Sequence, residues 1–73
     1  MTLKERIERD AELKLEIIEL QTRRRLVNDK SDIYMTEDNF DGYAKYRNTS
    51  NQISEQIDAK TIEMQKLWNW WIQ

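Results

Sequence analysis

At 73 residues, with 36% charged side chains, 38% hydrophobic ones, one glycine and no proline, the chain has room for one small domain. It is too poor in turn residues for a sandwich or barrel. It contains neither cysteine nor histidine. That excludes disulfides, thiolate chemistry and the usual zinc and iron ligand sets, and removes the commonest general base at neutral pH. Its 12 basic and 14 acidic side chains are intermixed and leave a formal net charge of −2, so neither a nucleic-acid ligand nor an acidic tail is indicated.

The spacing predicts a first helix over residues 2 to about 29. Leu3, Ile7, Ala11, Leu15, Ile18, Thr22 and Leu26 trace one stripe at steps of four and three, and Leu13, Ile17, Leu20 and Val27 trace a second beside it. Together they make a face broader than a two-stranded seam requires, which implies more than one neighbour. Glu5, Glu12, Glu16, Glu19 and Arg23 occupy the other side. Glu5–Arg9 and Glu19–Arg23 have the favourable acid-first i,i+4 order, worth only about 0.2–0.5 kcal/mol each.

Asn28-Asp29-Lys30-Ser31-Asp32 is a cluster that competes for backbone hydrogen bonds, so a turn is expected over about 30–35. Thr36 then reads as an N-cap, with Glu37 and Asp38 in the first turn and Met35 and Phe40 spaced as a hydrophobic staple. From there to about residue 72 runs a heptad pattern: Tyr43, Tyr46, Ser50, Ile53, Ile57, Lys60, Met64, Leu67 and Trp71. Gly42 and the run Asn48-Thr49-Ser50-Asn51 weaken this helix locally.

The expected fold is all-α: an antiparallel helical hairpin with coiled-coil-like packing and arms of roughly 40 and 55 Å, the second projecting past the first. The alternative is a three-helix bundle broken near 48–51, with helices near 2–29, 36–47 and 50–72. A chain this small with no staple or metal calls for oligomerisation or a partner protein to complete its core. Two hairpins pairing into a four-helix bundle would bury the broad face of the first helix.

Trp68, Trp70 and Trp71 gather every tryptophan of the chain into its last six residues, next to Ile72. They fit two roles, filling the end of a bundle or anchoring a partner. Their neighbours lack the basic face of a membrane-surface helix. Arg23-Arg24-Arg25 fan around the helix instead of converging on a phosphate. The aromatic group Tyr34, Phe40, Tyr43 and Tyr46 lacks an electropositive groove and reads as packing of the turn. Asp29-Lys30-Ser31-Asp32 opens like a calcium loop but continues with Ile33, Tyr34 and Phe40 where a ligand, a glycine and a glutamate are required. No carboxylate stands isolated in an apolar setting suited to acid–base work. No cofactor, metal or small-molecule substrate is indicated.

Ile53-Ser54-Glu55-Gln56-Ile57-Asp58 resembles the Ser-Gln-Glu-Leu-Asp motif of Spo0E-like aspartyl-phosphate phosphatases, small helical hairpins that act on a phosphorylated response regulator. The resemblance implies that Asp58, Ser54 and Glu55 face the partner's phosphorylation site. Lys60-Thr61 replaces the apolar pair that follows in that family. The first helix, with Arg6, Ile7, Asp10, Leu20, Arg24, Leu26, Val27 and Lys30, is similar to the opening helix of AroQ-type chorismate mutases, whose active sites need further helices.

The leading expectation is a noncatalytic protein-binding module, in the manner of small phage-encoded inhibitors, adaptors or assembly factors. The alternatives are the phosphatase and a structural subunit of a larger assembly. Candidate contact residues are Met64, Leu67, Trp68, Trp70, Trp71 and Ile72. With no signal-length or membrane-spanning apolar run after the charged start Met1–Arg6, the expected compartment is the cytoplasm, that of the host if phage-encoded. If the tryptophans anchor a partner, Trp70→Ala weakens binding in a titration without changing helicity or oligomer mass. Unfolding or dissociation of the protein would instead place Trp70 in the core.

Overall fold

The structure, a computed structural model, describes residues 1–69. Among them the chain forms two α-helices and no strand, α1 (Leu3–Thr36) and α2 (Phe40–Trp68). They pack antiparallel as a hairpin measuring 53 × 19 × 13 Å. The all-α hairpin expected from the heptads is the observed architecture. α2 is continuous through 48–51, which excludes the three-helix alternative. Within α2 the Thr49 hydroxyl donates to the Lys45 carbonyl at 3.1 Å, and Ser50 is buried.

The start of α1 agrees with the sequence expectation to within one residue, and its end does not. At the start, Thr2 is the N-cap, its hydroxyl oxygen accepting the Glu5 N–H at 3.2 Å while the hydroxyl donates to the Glu5 carboxylate. Glu5 is thus engaged in the cap, and Arg9 pairs with Glu12 at 3.0 Å.

The expected turn at 30–35 is helical, and the chain reverses at 37–39 instead. Tertiary packing overrides the weak helix formers: Ser31 is fully buried between the helices and Tyr34 stacks on Tyr46, ring centroids 5.3 Å apart. Thr36 is therefore not the N-cap of α2. Its hydroxyl donates to the Asp32 carbonyl inside the last turn of α1. Asn39 takes the capping role, its side-chain oxygen accepting the Gly42 N–H at 3.1 Å. The reversal is a Schellman motif: the Asn39 N–H donates to the Tyr34 carbonyl and the Asp38 N–H to the Met35 carbonyl. Asp38 holds the left-handed position at φ 57°, where glycine is usual and Asp is among the tolerated residues.

The seam between the helices is a shared heptad. On α2 Tyr43, Tyr46, Ser50, Ile53, Ile57, Lys60, Met64 and Leu67 are buried or half-buried, the rhythm expected from the sequence, with Gly42, Thr49, Ser54, Thr61 and Trp68 half-buried beside them. On α1 Arg6, Asp10, Leu13, Ile17, Leu20, Arg24, Val27, Ser31 and Tyr34 are buried or half-buried at alternating steps of four and three, with Arg9, Glu16 and Asn28 half-buried beside them. Leu20, Ile53 and Ile57 form the core, with Ile17 and Val27 against it. The stripe from Leu3 to Leu26 lies outside this seam. Arm lengths are also reversed among the described residues. The 34 residues of α1 and 29 of α2 correspond to about 51 and 44 Å.

Gly42 has a packing reason. A Cβ there would lie 2.9 Å from two ring atoms of Tyr34, a ring that is itself stacked on Tyr46. Helix propensity alone favours alanine at this site by about 1 kcal/mol. Gly42→Ala is nevertheless expected to lower stability in urea melts by roughly 1–3 kcal/mol, the cost of overpacking. A gain in stability would mean that the Tyr34–Tyr46 stack yields freely.

Candidate functional site

The C-terminal half of α2 turns much of its apolar content inward. Leu67 is buried and Met64 half-buried in the seam, where the Arg6 guanidinium donates to the Leu67 carbonyl. Trp68 is half-buried beside it, its indole N–H donating to the Asp10 carboxylate at 3.1 Å. Trp70, Trp71 and Ile72 lie outside the described residues. Of the six candidate contact residues, three therefore contribute to the closed end of the hairpin.

Asp10 is the centre of that end. The Lys14 ammonium sits 2.7 Å from its carboxylate, and together with the Trp68 indole it holds the Asp10 carboxyl below its ordinary value. One turn further in, Lys60 pairs with Glu16 at 2.9 Å and likewise holds that carboxyl low, with Arg9 assisting. Arg9 bridges the helices to Glu63 at 3.1 Å. These pairs border the seam and are exposed on one side, so they align the helices more than they stabilise them.

The other groups singled out by the sequence are dispersed. Arg24 enters the seam and donates to Ser54 at 3.2 Å, while Arg23 and Arg25 are exposed on separate sides. Glu55 and Asp58 are exposed on the solvent side of α2, so Ser54 is directed to Arg24 and not to them. Tyr34 and Tyr46 stack with the Lys30 ammonium over the Tyr46 ring, and Phe40 is exposed. Among the described residues no group of three or more acidic, His or Cys side chains is placed to hold a metal ion. No helix there is long and apolar enough to cross a membrane. An open groove of about 200 Å³ lined by Glu16, Glu19, Leu20, Arg23 and Lys60 is smaller and more charged than the usual ligand pocket.

The feature that stands out is the outer face of α1. Leu15, Ile18, Leu26 and Ile33 are 64%, 57%, 60% and 56% exposed. Each stands two positions from a seam residue (Leu13, Leu20, Arg24 and Ser31), hence about 200° round the helix and on the side turned away from α2. Ala11, Thr22 and the charged Asp29 fill the spacing between them, and Leu3 and Ile7, both exposed, continue the stripe toward the N-terminal flank. The back of α2 is polar by contrast, exposing Asn48, Asn51, Glu55, Asp58 and Lys66 around Ile62. The residues from Leu3 to Leu26 were visible in the sequence as one half of a broad face, but their exposure was not, and Ile33 falls in the expected turn.

Compared with known proteins, the chain matches no family model, no curated protein and no solved structure.

The lowered Asp10 and Glu16 carboxyls set a pH dependence. A group whose folded value is depressed contributes stability above its unfolded value, and loses it as pH falls through the folded one. Melting temperature should therefore decline below about pH 4, and Asp10→Asn should make that decline shallower. An acid limb unchanged in Asp10→Asn would show that the Lys14 and Trp68 contacts do not hold in solution.

Proposed function

We propose that the chain is a small noncatalytic protein-binding module of the inhibitor, adaptor or assembly-factor kind. It acts by laying the apolar outer face of α1 against another protein surface. One observation carries this reading: a stripe centred on Leu15, Ile18 and Leu26 stays exposed along a helix whose opposite side already supplies the hairpin's core. Soluble single domains seldom expose a contiguous apolar patch of more than a few hundred Å², and where they do the patch commonly marks a contact site. Recognition through side chains at i, i+3 and i+4 on a helix is the geometry of helix-in-groove and helix-on-helix binding.

The dispersal of Asp58, Glu55 and Ser54 lends no support to the phosphatase alternative. Trp70, Trp71 and Ile72 supply a second anchor in this reading, next in sequence to Leu67 and Trp68, which are engaged with α1.

The test compares faces. Ile18→Glu and Leu26→Glu, both on the outer side of α1, should reduce capture of a partner from a lysate of the source organism at least about tenfold. Chemical stability should change by no more than about 0.5 kcal/mol. Asn51→Glu on the polar back of α2 should leave capture unchanged. Equal capture by all three variants would remove α1 from the binding surface.

A further inference from the structure

We propose that the occupant of α1's outer face is the same face of a second copy, laid antiparallel, so that two hairpins join through α1 into a four-helix assembly. The inference rests on the reading of that face as a docking surface and goes beyond it by naming what docks.

Area is the first reason. Ile7, Leu15, Ile18, Leu26 and Ile33 are each more than half exposed, leaving on the order of 500 Å² of apolar side chain per copy. The aliphatic stems of the flanking charged residues bring this near the roughly 800 Å² per partner of a stable interface. The face also runs almost the whole length of α1, which suits another long helix better than a compact pocket.

Charge order is the second reason, and it selects a second copy. Along one flank of the face the exposed charges read Glu5, Glu12, Glu19, Arg23, Lys30, acidic toward the N-terminus and basic toward the C-terminus. Arg23 also borders the groove to α2, and the Lys30 ammonium also lies over the Tyr46 ring. In an antiparallel pair related by a twofold axis, residues on the same flank face each other. An axis beside residues 20–21 sets Glu12 against Lys30 of the second copy and Glu19 against Arg23 of the second copy. Within one residue of the same register, Leu15 meets Leu26 of the second copy, Ile18 meets Thr22, and Ile7 meets Ile33. Apolar and charged residues thus agree on one alignment. In a parallel pair this flank would instead face the opposite flank of the second copy, and the contacts of Glu12 with Lys30 and of Glu19 with Arg23 would not form. The opposite flank carries Lys14, Arg25 and Asp32, too few charges to favour either orientation. The contact is self-complementary, so it closes at two copies.

Sedimentation equilibrium of the full chain, with circular dichroism to confirm helicity, tests this. The wild-type chain is expected at twice its 9.0 kDa mass. E12K/E19K should raise the dissociation constant about tenfold or more, and adding R23E/K30E should restore it to within about threefold. The E12K/E19K chain mixed with a separate R23E/K30E chain should form the mixed pair in preference to either self-pair, because every flank contact is then again between opposite charges. A monomeric wild type at high concentration overturns the self-pairing alone and leaves the face to a different partner. A dimer unmoved by the charge reversals overturns the antiparallel alignment. A dimer that also survives Ile18→Glu uses another surface, and overturns the docking face as well.

Discussion

A 3.5-residue repeat shared by two helices is the constraint on which this structure depends. On α1 it runs from Arg6 to Tyr34, eight steps covering 28 residues, so the seam keeps facing α2 over the full length of the helix. Its middle is apolar, with Leu20 against Ile53 and Ile57 and with Ile17 and Val27 beside them. Its ends are polar and specifically paired. Arg6 reaches the Leu67 carbonyl, Asp10 the Trp68 indole, Arg24 the Ser54 hydroxyl, and Ser31 the Tyr43 carbonyl. Apolar residues alone would tolerate a slip by one heptad. The polar layers do not, because each slip would strand groups that are now hydrogen-bonded. Among the described residues no buried side-chain nitrogen or oxygen lacks a partner.

From this seam follows the division of α1 into two working faces. A hairpin core of Leu13, Leu20, Ile53, Ile57 and Leu67 is thin for a chain with no disulfide or metal to reinforce it. Yet α1 holds as much apolar side chain outside the seam as within it. The stripe from Leu3 to Leu26 advances mostly by steps of four, longer than the coiled-coil repeat, so it winds round the helix and cannot stay against a single straight neighbour. The fold therefore leaves an apolar surface on the longer helix and a polar one on the back of the shorter. That asymmetry supports reading the molecule as a module that functions by contact.

The two helices differed in how far they could be read from sequence. Every described seam position of α2, from Tyr43 to Leu67, is visible as one unbroken heptad, because no competing stripe exists on that helix. α1 carries two stripes, and the more apolar one lies outside. What distinguishes the true seam is its strict alternation of four and three, maintained through Arg6, Asp10, Arg24 and Ser31, polar residues that local reasoning assigns to the surface. The turn was misplaced for a related reason. Both 28–32 and 37–39 are rich in turn-forming residues, and the choice between them is made by Tyr34 packing over Gly42 and onto Tyr46, contacts between residues far enough apart that propensity does not register them. The candidate surface was legible as a set of residues but not as a surface, since exposure depends on which stripe the partner helix takes. Of the tryptophan group, Trp68 acquires its meaning only from Asp10, 58 positions away.

The absence of cysteine from the chain permits a direct measurement of the two faces. Single cysteines introduced as Leu13→Cys and Leu20→Cys on the seam, and as Leu15→Cys and Ile18→Cys on the outer face, can be labelled with a thiol reagent over a range of protein concentration. Positions 13 and 20 are expected to be protected at every concentration. Positions 15 and 18 are expected to react freely when dilute and to become protected as concentration rises. Free reaction at 13 and 20, or protection of 15 and 18 at the lowest concentration, would contradict a helix whose one face holds the hairpin and whose other receives a second molecule.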